Sequence, residues 1–491
     1  MTGVIIGVIA YLLIVIVGIG AYIATKAKKV EAEGGASFLL SNRDLPVSVL
    51  AVTMALTVLG AAHVLGGFEM TYMMGATTIW FSLAHVVLLT VACLATGRWV
   101  RRLGVTTIPQ LMGMLHSEGS RLIVSCVMAG VIFGILTLET QGIGILFATL
   151  TGWSIQKGAV VGGVLGILYV ILAGMKEIGW VNLINTVVMY IGLIIATIYI
   201  SFHLPGEGWA TVSEYYTSQG QGEMLKIFAS PQLLLSFALA NIIAVTFCQG
   251  ISQMLMQPCM SAKNEDVVKK SLWIAAPVNG MFGVLVVCLG LAAKSIAEFN
   301  AAGAKLAGPT MLVEMLPGWL VAWVLASFIA AVLSTFAMTA MTPATIFSKD
   351  IYENLFNSEA EDKTITRVTR IAIVIIAVIA MCIAAYLPPI IGAINWLFAW
   401  LVPVFWLVVF GLFWKRSGKA AIATLIVSWV LNLLWSFSSL PAALNMQGVP
   451  NAYVTLATGL VLGAIIFSVM ECEPGYFKSQ EYLQQKQRLT L

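Results

Sequence analysis

Apolar stretches long enough to cross a lipid bilayer recur thirteen times along this sequence, and nothing else in it constrains the fold as strongly. A membrane-spanning helix needs ~20 mostly apolar residues. The runs lie at 3–25, 46–73, 76–98, 121–149, 156–175, 180–202, 231–256, 271–296, 317–347, 369–387, 390–414, 419–438 and 453–470. Of 491 residues, 60% are hydrophobic and 10% charged, where a soluble domain carries roughly 25% charge. The expected fold is therefore an all-α polytopic membrane protein with about 13 transmembrane helices. A large extramembrane catalytic domain is excluded.

The first run ends in Lys26, Lys28 and Lys29 instead of a small-residue cleavage site, so it reads as a retained helix. Alternate connections hold 22 of the 26 Lys and Arg residues, and the other side holds only Lys157, Lys226, Lys294 and Lys305. The positive-inside rule then places the N-terminus outside and the C-terminus in the cytoplasm of a plasma (cell) membrane. The basic residues form no stripe that would suit nucleic acid. Seven cysteines without a C-x-x-C pair indicate neither a disulfide framework nor a zinc site. No nucleophile–base pair or metal-ligand cluster stands out, so an enzyme is not expected. No obligatory protein partner is evident; the lipid bilayer is the partner that the composition demands. Of the connections, His203 to Gln232 reads as an ordinary loop or a small lid, and Ser348 to Lys363 as a solvated helix extension and turn.

Two spans are interrupted by glycine. The second carries Gly60, Gly66, Gly67 and Gly75; the seventh carries Gly250 in mid-membrane and Pro258 near its end. Glycine in membrane helices commonly serves only close packing, yet each also costs up to ~1 kcal/mol relative to Ala in a helix interior. Spans two and seven lie five apart, as the first helices of two five-helix repeats would. Five is odd, so such repeats are inverted, and interrupted helices in corresponding positions point to a transporter's midplane site. The expected divisions are 1–45 (first helix and loop), 46–202 (first repeat), 203–414 (second repeat with its outer loop) and 415–491 (two last helices and tail).

Several segments carry a resemblance. FLLSNRDLP (Phe38 to Pro46), HVLGGFEMTYMMG (His63 to Gly75), QMLMQPCMSAKN (Gln253 to Asn264), AAVLST with ATIFSKDIY (Ala330 to Thr335, Ala344 to Tyr352) and VFGLFWKRSGKAA (Val409 to Ala421) follow in order over most of the chain. The sequence resembles the sodium:solute symporter family, whose members have the leucine-transporter-type inverted five-plus-five fold. The resemblance implies a co-transported sodium ion held by the hydroxyls of Ser334 and Thr335 and the carbonyl of Ala331. It implies two further carbonyls at the break in the second span, on Leu56 and Leu59. Offsets of three and four residues do place Ser334 and Thr335 on the Ala331 face of a helix. A second sodium site, found in some relatives, falls on Asn182, Ala337 and Met338, which lack its acid and hydroxyls, so one sodium per cycle is expected. Asn182 remains available as an outer support for the first site.

The positions that bind sugar in relatives fall on His63, Ser82, His85, Val245, Asn279 and Asn395. Sugar hydroxyls need paired buried partners, and the loss of the family's glutamate (Ser82) and asparagine (Val245) argues against a hexose. Gln141, Cys248 and Gln249 complete the candidate solute set, and Phe247 is the candidate gate because the family's gating aromatic falls on Cys248. Glu69 and Glu139 are intramembrane carboxylates, costly unless they function or are partnered. With no Lys or Arg at that depth, an amine-bearing, zwitterionic or neutral small solute is favoured. The competing readings are a proton-coupled carrier of the same fold, using Glu139 or a histidine, and a transporter-like sensor. The short stretch after Val469 leaves no room for a signalling domain.

Overall fold

Among the described residues, eleven helices are long and apolar enough to cross a membrane, and Val47–Thr57 and Ile155–Ile171 are shorter apolar helices. The computed structural model describes residues 2–23, 25, 37–171, 174–384, 386 and 390–479. The chain runs through α1 (Gly3–Ile23), α2 (Val47–Thr57), α3 (Ala61–Met74), α4 (79–103), α5 (Glu118–Thr151), α6 (Ile155–Ile171) and α7 (Met175–His203). A short α8 (Trp209–Ser218) leads to α9 (Pro231–Gln249), α10 (Gln253–Met260) and α11 (Glu265–Ser295). Then come α12 (Gly318–Phe356), α13 (Asp362–Ala384), α14 (Ala393–Phe413), α15 (Gly418–Phe437) and α16 (Asn451–Val469). The expected basic residues Lys26, Lys28, Lys29, Lys486 and Arg488 lie outside the described residues.

Helix α12 is the axis of the bundle: 89% of its most apolar window is buried, against 31–67% in the other spans. It packs against α1, α5, α6, α7 and α13. Small residues let the backbones approach, as in other membrane bundles: Gly142 lies against Ala61, Gly166 against the Phe336 ring and Gly290 against Thr71. Gly75, at φ 67°, turns the chain from α3 toward α4, with the Met224 backbone where a Cβ would sit.

Several helices overrun the spans that hydropathy assigns. Helix α7 starts at Met175 instead of 180, α11 at Glu265 instead of 271, and α13 at Asp362 instead of 369. At α11 a polar cap carries the helix past the apolar boundary: the Asn264 side chain accepts from Val267 N at 3.0 Å. The long connection holds a lid-like α8, with Val212 and Tyr216 buried and the Tyr216 hydroxyl donating to Leu291 O at 3.0 Å. The expectation of a solvated Ser348–Lys363 fails at Asp350. That residue is fully buried, paired with Arg121 at 2.8 Å and accepting from the Thr107 hydroxyl at 3.0 Å.

Basic side chains tie together one face of the bundle. Arg101 donates to the carbonyls of Ala262 (2.6 Å) and Lys263 (2.8 Å), and Arg102 pairs with Glu265 at 2.8 Å. Leu45 forms a parallel β-bridge with Ala262. On the same side, His116 Nε2 bonds Leu407 O at 2.9 Å. A carbonyl only accepts, so Nε2 carries the proton and Nδ1 accepts from Ser417 N at 3.4 Å. Burial pushes this imidazolium from the ordinary 6.5 down to about 4, with Arg416 adding to the effect. Between those values the unfolded chain binds a proton that the folded chain does not, so stability falls as pH drops through that window. The melting temperature of His116→Gln in detergent should therefore change less than the parent's between pH ~6.5 and ~4.

Candidate cation and solute site

The helix that begins at Val47 stops at Thr57, and the chain crosses Val58–Gly60 without a regular ladder before α3 begins at Ala61. Gly60 is extended (φ −101°, ψ −153°) and offers no side-chain cap to α3. Its place is taken by Glu139 from α5: Ala61 N–H donates to Glu139 Oε2 at 2.7 Å. The carboxylate packs where a Cβ on Gly60 would stand, so only glycine admits it. Glu139 is buried and forms no ion pair among the described residues.

On the other side of the break, α12 presents Ala331, Ser334 and Thr335, all buried. Thr335 Oγ1 donates to Leu56 O at 2.8 Å, and Leu59 N reaches the same carbonyl at 3.2 Å. Ser334 Oγ is buried beside the Tyr169 hydroxyl without a hydrogen bond of ordinary geometry. The Ser334 hydroxyl, the Thr335 hydroxyl and the Leu56 carbonyl on which it rests are neutral oxygens of the kind a hard monovalent cation takes. Such an ion would replace the Thr335–Leu56 hydrogen bond, binding both oxygens.

Asn182 reaches this place through a neighbour. Tyr169 OH donates to Asn182 Oδ1 at 2.6 Å and accepts from Asn185 Nδ2 at 3.2 Å; Tyr11 of α1 donates to Asn185 Oδ1 at 2.9 Å. Sequence reasoning missed Tyr169, Asn185 and Tyr11. The signal available for Asn185 was a polar stripe on α7, where Asn182, Asn185 and Thr186 share one face. The two tyrosines carried none.

Four of the candidate solute residues come together. The His63 and His85 rings meet edge to face at 4.3 Å, with Phe81 4.7 Å from His63. His85 Nδ1 bonds Phe81 O at 2.8 Å, so Nδ1 carries the proton and Nε2 is left as an acceptor. Asn279 neighbours His63 and donates through Nδ2 to Ala55 O at 3.4 Å, leaving Oδ1 buried without a hydrogen bond of ordinary geometry. Ser82 packs on Gly283 of the same helix as Asn279. Gln141 is buried on α5, Cys248 and Gln249 are buried on α9, and Asn395 is half-buried on α14. No hydrogen bond joins Cys248, Gln249 or Asn395 to the histidines among the described residues. Phe247 packs against Phe405 (4.9 Å) and Trp406 (5.0 Å) of α14. Val245 is fully buried, and Glu69 is half-buried near the middle of α3.

The sequence model of the sodium:solute symporter family matches residues 38–427. The sodium/pantothenate symporter of Escherichia coli K12 is 27% identical over 95% of this chain and 95% of its own. The sodium/glucose cotransporter of Vibrio parahaemolyticus is 25% identical over 88% of this chain and 85% of its own. A Na+-coupled sialic acid symporter in a substrate-bound, outward-open state superposes with a TM-score of 0.81 at 17% identity, covering 96% of this chain and 99% of the other. Mhp1, a nucleobase-cation-symport-1 family transporter, follows at 0.56 and 12%, over 87% and 93%. At those identities the two structures speak for the fold alone.

The Thr335 hydroxyl is checked by Thr335→Val, which keeps the shape of the side chain but deletes the donor to Leu56 O. In sodium-free buffer the variant should lose about 1 kcal/mol of stability, read as a lowered melting temperature.

Proposed function

The chain belongs to the sodium:solute symporter family, and from that premise we propose that it couples the downhill entry of one sodium ion to the import of a small organic solute by alternating access. The observation that carries this reading is the oxygen set at the break: the orphaned Ser334 hydroxyl and the Thr335 hydroxyl on Leu56 O. Sodium is the co-transported substrate, held by Leu56, Leu59, Ala331, Ser334 and Thr335. Solute lies against His63, Ser82, His85 and Asn279, with Gln141, Cys248, Gln249 and Asn395 completing the cavity as it opens and Phe247 at its gate. It is an amine-bearing, zwitterionic or neutral molecule in preference to a hexose.

The proposed architecture counts α2 with α3, and α9 with α10, as single interrupted passes. The helix from Ala61 to Leu103 is divided at Gly75. Thirteen passes result, with inverted repeats at 46–202 and 203–414. The face tied by Arg101 and Arg102 is then cytoplasmic by the positive-inside rule, in a multi-pass cell-membrane protein whose N-terminus is outside.

Two measurements test the coupling. In proteoliposomes, solute uptake should require sodium at fixed pH and rise with sodium concentration with a Hill coefficient near one; uptake driven by a pH gradient without sodium would favour the proton-coupled reading through Glu139. Ser334→Ala with Thr335→Ala removes two of the five oxygens while leaving a good helix former in place. The sodium half-saturation should rise at least ~10-fold, about 1.4 kcal/mol, and linkage demands an equal loss in how strongly sodium promotes solute binding.

A further inference from the structure

The positive end of an interrupted membrane helix is where transporters of this architecture receive an anionic substrate group. In this chain that end already holds a carboxyl group of its own. Ala61 N–H, at the first turn of the fourteen-residue α3, donates to Glu139 Oε2 at 2.7 Å. The carboxylate is 2% exposed, and no Lys, Arg or His pairs with it among the described residues. A carboxylate has about four lone-pair sites, and one backbone N–H leaves most of them for another donor.

The unpartnered buried atoms around the break include the Thr57 and Ser334 hydroxyls and His63 Nε2, and beside them stand side-chain acceptors. Asn279 Oδ1 is buried beside His63 without a hydrogen bond of ordinary geometry, and Nδ2 donates to Ala55 O at 3.4 Å in the last turn of α2. His85 presents Nε2 as an acceptor because Nδ1 is committed to Phe81 O. Across the second break, Gln249 Oε1 is buried without a partner. Such acceptors are buried lone pairs whose desolvation a donor-rich ligand would offset. A second carboxylate brought to the same helix end would instead meet Glu139 as a like charge in a dry site.

We propose that Glu139 fills the anion-binding end of the broken helix and so makes the solute site one for an organic cation, an ammonium or amidinium group with no carboxylate beside it. This deepens the symport reading and rests on it: Glu139 determines specificity, and Asn279 and His85 accept from the same cationic head.

The test is thermal unfolding of the purified full-length protein in detergent, in sodium and in potassium buffers of equal ionic strength. The probes are matched pairs that differ by one carboxylate: agmatine and arginine, cadaverine and lysine, histamine and histidine, and methylammonium and glycine. At least one cation should raise the melting temperature, and its carboxylate-bearing partner should bind at least tenfold more weakly. Glu139→Gln should weaken that cation at least tenfold, and Glu139→Asp, which keeps the charge but withdraws it, should fall between the two. The proposal is overturned when no cation stabilises the parent, when an amino acid binds as well as its amine, or when Glu139→Gln leaves cation affinity at the parental value. If Glu139→Gln does not fold, the matched-pair ratio in the parent decides. The sodium-induced shift of the parent without any organic probe reads the symport proposal separately.

Discussion

A bilayer offers no hydrogen-bond partner to a carbonyl or an N–H, so an interrupted helix survives there only where other groups close the gap. At Val58–Gly60 two side chains from different helices do so, Thr335 of α12 on Leu56 O and Glu139 of α5 on Ala61 N. Those helices pack on each other along their length, which fixes the break between them. The close approach of α5 follows from the same need: Gly60 leaves room for the carboxylate, and Gly142, one turn beyond Glu139, lies against Ala61. A larger residue at either place would push Glu139 away from the N–H it satisfies.

The second break is closed differently. Helix α9 ends at Gln249, and the Ser252 side chain caps α10 by accepting from Met254 N at 3.3 Å. Gln253 then bonds Ile108 N (2.8 Å) and Thr106 O (3.1 Å), and Gln257 donates to Leu39 O at 3.0 Å. With the Leu45–Ala262 bridge and the Arg101 contacts, these bonds hold α2 and α10 to the basic face. These polar contacts stand beside an apolar packing in which Met254, Leu255, Met256 and Met260 are buried. Water entering from that side would replace these hydrogen bonds at a net cost of about 1 kcal/mol each.

The sequence displayed the membrane passes and the two interrupted helices because both are written in local composition: runs of apolar residues, and glycines within them. It displayed the α12 triplet for the same reason, since three and four residue offsets define a helix face whatever surrounds it. Glu139 stood out as a costly carboxylate, but its partner was invisible. Ala61 N–H becomes a free donor only when the helix breaks, and no sequence pattern marks a backbone donor. Asp350 was misread because its neutralising Arg121 lies 229 positions away. The Tyr11–Asn185–Tyr169–Asn182 chain was missed for a related reason: each member is an ordinary polar residue, and only packing of α1 and α6 on α7 joins them.

The two ends of the first break differ in polarity, and that difference gives the proposed cycle its coupling. Carbonyls at the end of α2 carry partial negative charge and the first N–H groups of α3 partial positive charge. A sodium ion at Leu56 O would therefore strengthen the first end, and the Glu139 carboxyl group stands at the second. Only Val58, Leu59 and Gly60 separate them, so a displacement of Leu56 toward α12 is carried to Ala61 through three residues rather than through a chain of side chains. An organic cation resting on Glu139 and Asn279 would feel that displacement directly, since Asn279 is itself anchored to Ala55 O on the last turn of α2. Reciprocity then requires that the solute hold α2 in the position that suits sodium, and both effects depend on the break remaining a break.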